Sequence, residues 1–427
     1  MENLHVFNRG DSEIAFNGNT LKIYVAPKGN FDNLRTIVEE HSDKYEEKTI
    51  DINTNKLNRL VLCVSNVCNL SCRYCYLGHD CSETSFMSET IAESSIDYIL
   101  NLYKEGISYV QFFGGEPLLN LGVIKHSIDY LATKCSELSL PTPGYTLVTN
   151  GTLITKEAHE LFNKYFANIT ISLDGEKATN DHSRVFKKGE ESVYDSVVSK
   201  IKELNKNRKY KLNIQMTITE ELIDSYKENL TDYLHLLSLG VDNIFMCPLI
   251  ESDHYKLKDS QTYRSKVHDY FMKCNAMALD NINHSNYHRA LKLVNVLKKK
   301  EISSHFCTAG IDDITIDSKG NIYPCFMFLG NDEFIMDNIL KPSSENFELN
   351  RATYIANTIC SIPSCKNCWA NKICSMCHSG CIGSNYLQNG AINIPSMDNC
   401  VLSLNILEET IYKISCFANK KGLVTSG

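Results

Sequence analysis

The chain has one tryptophan and only nine prolines in 427 residues. It also has no uninterrupted apolar run of the roughly 18 residues that a membrane-crossing helix needs. With 43% hydrophobic and 22% charged residues, this scarcity of proline excludes a disordered or Pro-rich chain and describes an ordinary folded one. The start, MENLHVFNRGDSEIAF, has no basic segment leading into an apolar one, so no secretory signal is read there and the expected location is cytoplasmic, away from membrane. Net charge is −8, with lysines and acids interleaved, and the one dense basic run, LKKKE from Leu297, reads as a solvated helix end. Without a basic stripe interleaved with aromatics, nucleic acid is not an expected partner. Internal repeats and low-complexity tracts are also missing.

What is present in excess is cysteine, eighteen in all. In a chain without a signal peptide, thiols stay reduced, and such a set reads as metal binding or catalysis rather than a disulfide framework. The stretch SNVCNLSCRYCYLGHD places Cys68, Cys72 and Cys75 in one loop. Three thiolates can hold three irons of a four-iron cluster and leave the fourth open to substrate or cofactor, whereas electron-transfer clusters use four. A structural zinc loop, or a cluster closed by Cys63 or Cys81, are the other readings of those residues.

A prior of about 100 to 200 residues per domain gives two or three domains. Residues 1–57 are read as a hairpin-helix unit: EIAFNGNTLKIYV turns at Asn17-Gly18, a strong hairpin signal, and FDNLRTIVEEHSDK has helical apolar spacing. Residues 58–250 alternate strands (RLVLCV, SYVQFF, GYTLVT, NITISL, KLNIQMTI, NIFMCP) with amphipathic helical segments. This α/β pattern predicts a partial (β/α)6 barrel with its chemistry at the C-terminal strand ends. A helical linker (251–303), a cysteine-rich domain (304–405) and a tail (406–427) follow. At four successive strand ends stand the cysteine loop, GGEP (Gly114, Gly115, Glu116, Pro117), TNGT containing Asn150, and SLDG containing Ser172 and Asp174. The glycines suit close backbone approach to a ligand, and Glu116 suits an ammonium group; a plain strand-end turn is the other reading of GGEP.

CNLSCRYC followed by GGEP resembles the radical S-adenosylmethionine enzymes, whose signature has an aromatic residue before the last cysteine, here Tyr74. The resemblance implies a radical 4Fe-4S cluster on Cys68, Cys72 and Cys75, with S-adenosylmethionine chelating the open iron. Backbone around Gly114, Gly115 and Glu116 would receive its amino group. Ser172 and Arg184 fall where relatives contact the ribose and carboxylate of the cofactor, and Asn150 and Asp174 are nearby candidates. Arg184 suits a carboxylate because a guanidinium pairs in bidentate fashion.

The C-terminal segment resembles the SPASM extension, which binds auxiliary iron-sulfur clusters in radical enzymes that modify peptides. Cys307 leads to GNIYPC, which ends at Cys325, and IDDITIDSKGNIYP reads as a hairpin turning at Lys319-Gly320. Cys365, Cys368 and Cys374 fit the first places of Cys-x2-Cys-x5-Cys-x3-Cys, but the fourth is His378, while Cys377 and Cys381 supply the final step and Cys400 the last cysteine. The resemblance implies one cluster on Cys307, Cys325 and Cys381 and a second on Cys365, Cys368, Cys374 or Cys377, and Cys400. CxxC pairs alone suit zinc as well.

The N-terminal unit resembles a shortened leader-peptide recognition domain, which captures a peptide by strand addition; a cap docked on the barrel is the alternative. The whole pattern resembles thioether-forming maturases of cysteine-rich ribosomally made peptides. It implies a radical that abstracts hydrogen from the peptide, and a low-potential electron donor such as flavodoxin or ferredoxin. Formylglycine formation, carbon-carbon cross-linking and, from another class, a noncatalytic metal-binding peptide scaffold are the alternative readings.

Overall fold

The computed structural model describes residues 3–29, 36, 38, 48–50, 52–78, 85–226, 229–251, 255–280, 288–374 and 380–420. In chain order the described strands begin with β1 (Leu4–Arg9), β2 (Ser12–Asn17), β3 (Lys22–Pro27) and β4 (Lys48–Ile50). They continue with β5 (Leu57–Ser65), β6 (Ile107–Gly114), β7 (Gly144–Thr149), β8 (Phe166–Ser172), β9 (Lys211–Ile218) and β10 (Asn243–Pro248). The last are β11 (Glu301–Ser303), β12 (Asp313–Ile316), β13 (Asn321–Tyr323) and β14 (Asp337–Asn338). Two compact units result, one of residues 52–263 and 308–355, the other of 1–51, 264–307 and 356–427.

The first unit carries a nine-stranded sheet in the order β10-β9-β8-β7-β6-β5-β12-β13-β14. The six strands expected from the sequence are all there, and β5 to β10 pair in parallel in chain order. The sheet stays open: β12 adds in parallel beside β5, with Asp313 opposite Arg59 and Ile316 opposite Leu62, and the hairpin β12-β13 continues antiparallel. Arg59 donates to Asp313 Oδ2 at 3.0 Å across that seam. The expected 304–405 domain is therefore shared between the units, because its first hairpin completes the barrel sheet.

Alternation along the strands gives this sheet two unlike faces. Leu60, Leu62, Val110, Phe112, Leu147, Ile169, Ile171, Leu212 and Ile214 are all buried, the face that helices such as Glu89–Leu102 and Val193–Leu204 must cover with Ile96, Ile99, Val197 and Ile201. The opposite face carries Arg59, Gln111, Thr146, Thr170, Asn213 and Gln215, aligned by the strand register. A closed barrel would fill that face with branched apolar side chains; here it is a polar row.

In the second unit, β1, β2 and β3 form an antiparallel sheet, and β4 pairs in parallel with β11. Sequence reading finds the β2-β3 hairpin but misses β1. The turn is set by Asn17, whose Oδ1 accepts the N–H groups of Asn19 and Thr20 at 2.9 and 3.2 Å. The helix expected after it falls almost wholly outside the described residues. Phe7, Ile14 and Phe16 share a core with Leu293, Ala370, Ile373, Leu407 and Ile411. Trp369 stacks on His5 at 4.0 Å and meets Phe16 edge-on at 5.7 Å. The N-terminal sheet is thus built into the segment that carries Cys365, Cys368 and Cys374.

The two-faced sheet has a direct test. Ile214→Ala removes a fully buried side chain and should cost about 2–5 kcal/mol. Gln215→Ala, one residue on and on the other face, should stay within about 1 kcal/mol in denaturant unfolding of the cluster-free protein.

Candidate active site

Cys68, Cys72 and Cys75 lie in the loop leaving β5, and the chain 183–187 runs beside them. Ser71 and Arg73 N–H donate to the carbonyls of Val185 and Ser183 at 2.8 and 2.9 Å, and Lys187 N–H donates to Asn69 at 3.0 Å. All three thiols are partly exposed and none of the described cysteines forms a disulfide. The sulfur of Cys68 accepts the N–H of Leu70 at 3.4 Å and Nδ2 of Asn150 at 3.7 Å. Burial pushes the Cys72 thiol up to about 12, with the nearby Arg184 guanidinium acting against it.

GGEP passes directly beneath this loop. A Cβ on Gly114, which has φ +140°, would lie 2.0 Å from the carbonyl oxygen of Ser65, and one on Gly115 would lie 2.4 Å from that of Val67. In their place Gly115 and Glu116 N–H donate to those two carbonyls at 2.8 Å each. The close approach foreseen for the glycines is therefore made to the chain's own cysteine loop. Pro117 opens the short 3-10 turn that follows, capped by Glu116.

Glu116 is fully buried. One oxygen accepts Leu118 N–H at 3.0 Å and the Thr149 hydroxyl at 2.7 Å, and the other accepts Asn150 N–H at 2.7 Å. Asn150 in turn donates to Asn69 at 2.8 Å and accepts from Thr152 N–H and hydroxyl at 2.9 and 2.7 Å. Three strand-end loops are therefore tied through one carboxylate and one amide. Burial raises the Glu116 carboxyl to about 7, while its three donors pull the other way.

Asp174 is the centre of a second knot. It is fully buried beside Arg184, which is 6% exposed. Arg184 Nε and Nη2 donate to its two oxygens at 2.7 and 3.1 Å, Thr217 N–H adds a bond at 2.8 Å, and the Tyr74 hydroxyl donates to the same carboxylate. The Arg184 guanidinium also lies 5.4 Å from the Tyr74 ring centre. Tyr74, Asp174 and Arg184, each expected to face the cofactor, thus bind one another beside Cys72. Ser172 ends β8 half-buried. Thr149, Asn69 and Thr217 take part without having been singled out in the sequence; Thr149 and Asn69 lie inside motifs already quoted, and Thr217 enters only through its backbone.

Of the expected auxiliary ligands, Cys325 follows β13 in the unit of the large sheet, and Cys307, Cys365, Cys368, Cys374, Cys381 and Cys400 belong to the other unit. Cys377 and Cys81 lie outside the described residues. Cys381 precedes the helix Ile382–Asn389, and burial pushes its thiol up.

Residues 62–234 match the radical SAM superfamily. The matched family is one of enzymes of radical chemistry that use a 4Fe-4S cluster and S-adenosylmethionine. The chain is 26% identical over 388 residues to a cysteine-type anaerobic sulfatase-maturating enzyme of Clostridium novyi, covering 85% of this chain and 97% of that one. It is 24% identical over 379 residues to the radical SAM cyclopropyl synthase TigE of Paramaledivibacter caminithermalis, covering 84% and 75%. A match of 32% over 189 residues to an uncharacterized protein of Methanocaldococcus jannaschii spans 44% of this chain and 61% of that relative. The solved structure of anSMEcpe with bound AdoMet has a TM-score of 0.70 at 19% identity over 85% of this chain and 96% of that one, which is a likeness of fold. The donor types suit the cluster: three thiols in one loop, the sulfur of Cys68 with two N–H donors and Cys72 beside a guanidinium that offsets part of its burial.

Two results are expected of this site in the cluster-free protein. Asp174→Asn leaves the buried Arg184 charge without its partner and should cost about 3–5 kcal/mol, read by chemical unfolding. For Glu116 the folded value of about 7 lies above the ordinary 4.5, so the folded chain holds its proton longer. The stability it contributes is fully present below pH 4.5 and falls by about 3 kcal/mol as pH rises through 7. Glu116→Gln should flatten that part of the profile.

Proposed function

We propose that the chain is a radical S-adenosylmethionine maturase of a ribosomally made, cysteine-rich peptide, and that its product is a thioether cross-link. The observation that carries the peptide reading is the set of polar residues Gln111, Thr146, Thr170, Asn213 and Gln215 on the second face of the sheet. These amide and hydroxyl groups match the donors and acceptors of a peptide backbone, and the row runs up to the strand ends that hold the cysteine loop. Two relatives aligned over most of the chain are named a sulfatase-maturating enzyme and a cyclopropyl synthase. The cysteines from Cys307 onward supply more thiols than one radical cluster uses, and two auxiliary 4Fe-4S clusters are assigned to them.

When bound, S-adenosylmethionine and the cluster on Cys68, Cys72 and Cys75 supply a carbon-centred radical. The chain's own part is to orient and shield. Gly114 and Gly115 let the cysteine loop settle on β6, and Glu116 with Asn150 locks that loop to β7. Asp174 holds Arg184 and Tyr74 in place beside Cys72. Backbone around Gly114 to Glu116, together with Ser172 and Asn150, is assigned to the cofactor's amino acid and ribose.

Formylglycine formation is the second reading, supported by the sulfatase-maturating relatives. The products differ. A thioether loses two hydrogens and one alkylatable thiol, a carbon-carbon bond loses two hydrogens and keeps every thiol, and formylglycine made from cysteine loses its sulfur. Mass spectrometry before and after thiol alkylation, on a short cysteine-rich peptide encoded beside this gene, should return the first pattern. Absence of S-adenosylmethionine cleavage under strong reduction would remove the enzyme reading altogether. Anaerobic reconstitution should give about twelve irons per chain, falling to about eight in the Cys68→Ala/Cys72→Ala/Cys75→Ala variant; zinc in place of iron there would make the C-terminal cysteines structural.

A further inference from the structure

Asn150 lies in TNGT at the end of β7, is 7% exposed, and its side chain can face only one way. Its Oδ1 accepts the backbone N–H of Thr152 at 2.9 Å, and a backbone N–H can only donate, so the oxygen and nitrogen of the amide cannot change places. The Thr152 hydroxyl gives its one proton to the same oxygen at 2.7 Å. That hydroxyl can therefore only accept from Asn69 Nδ2, at 2.9 Å, which turns Asn69 Oδ1 toward Asn150 Nδ2, at 2.8 Å. The three side chains close a ring in which each bond fixes the direction of the next. One proton of Asn150 Nδ2 stays outside the ring, and the sulfur of Cys68 accepts it at 3.7 Å. The Asn150 backbone is held as well, its N–H donating to Glu116 at 2.7 Å. All of these residues belong to the unit of the large sheet.

We propose that Asn150 is a positioning residue for Cys68: the ring it forms with Asn69 and Thr152 holds the cysteine loop in place before any iron arrives, and its remaining N–H donates to the Cys68 sulfur once that sulfur is a ligand. The first part concerns the chain alone; the second rests on the reading of Cys68, Cys72 and Cys75 as the ligands of the radical cluster. Both ends of the Asn150 amide are engaged, so its contact with the cofactor falls to its backbone. Hydrogen bonds to sulfur are among the determinants of cluster potential. A donor favours the more negative, reduced state, and this one raises the midpoint.

The test uses the full chain as wild type, Asn150→Asp, Thr152→Val and Thr152→Ser. Asn150→Asp keeps the shape and the oxygen that faces Thr152 but turns a second oxygen on Asn69 and Cys68. In the cluster-free protein, hydrogen exchange of the cysteine loop should speed up by about fivefold, the effect of one hydrogen bond, in Asn150→Asp and Thr152→Val. Thr152→Ser keeps the hydroxyl and should exchange as wild type. After anaerobic reconstitution, a mediated redox titration followed by electron paramagnetic resonance reads the signal that the Cys68→Ala/Cys72→Ala/Cys75→Ala variant lacks. At the wild-type midpoint of that signal the reduced-to-oxidised ratio should fall by about fivefold in Asn150→Asp, Thr152→Val should shift in the same direction, and the remaining signals should keep their midpoints. Thr152→Val serves where Asn150→Asp loses iron. Wild-type exchange in both Asn150→Asp and Thr152→Val overturns the ring. Faster exchange with an unmoved midpoint overturns the bond to the ligand sulfur, and a triple variant that keeps every signal overturns the cluster reading on which that bond depends.

Discussion

Both carboxylate oxygens of Glu116 are engaged inside the chain, by Leu118, Thr149 and Asn150, and the rest of the site depends on that closure. Strand ends in an open parallel sheet are independent loops, each free to wander by its own length. Here the loop after β6 lies under the loop after β5 because Gly114 and Gly115 carry no side chain, and it is locked to the loop after β7 because Glu116 reaches Thr149 and Asn150. Asn150 then reaches forward again to Asn69 and the Cys68 sulfur. A buried carboxylate is an expensive way to join three loops, but the same bonds that offset its desolvation fix all three at once.

The second knot obeys the same economy. Asp174, Arg184 and Tyr74 come from three separate segments, and each satisfies the others within the chain. Cys72 sits next to this pair of opposite charges; the guanidinium favours its thiolate while burial and Asp174 act against it, and the thiol stays raised. Positioning of the ligand loop and tuning of its sulfurs are one arrangement.

Much of this was legible in the sequence. GYTLVT and KLNIQMTI alternate so strictly that β7 and β9 coincide with them, and the spacing of Cys68, Cys72 and Cys75 beside GGEP pointed to the chemistry without a structure. Other features were not legible, for physical reasons. Side-chain type announces that Glu116, Asp174 and Arg184 are polar groups at strand ends, but not which loops of the chain they bind, since that depends on segments far apart in the sequence. The glycines announced a close approach, read as one to a ligand, and gave no sign of the one the structure shows to the backbone of Ser65 and Val67. β1 escaped because LHVFNR is short and puts Phe7 among polar neighbours, with its burial supplied by Leu407 and Ile411 at the other end of the chain. The pairing of β12 with β5 has no local signal at all.

That last pairing fixes an order of assembly. β5 carries the ligand loop at its end, yet its outer edge is completed only by β12, which begins at Asp313. During synthesis the first strand of the large sheet therefore waits, with its backbone donors and acceptors open along one side, while most of the chain is still being made. Such an edge invites pairing with the wrong strand, and a contact of such long sequence separation forms late. Newly made chains should thus pass through a state in which Cys68, Cys72 and Cys75 are already in the folded strand-end loop while the strand that closes the edge of β5 has yet to arrive.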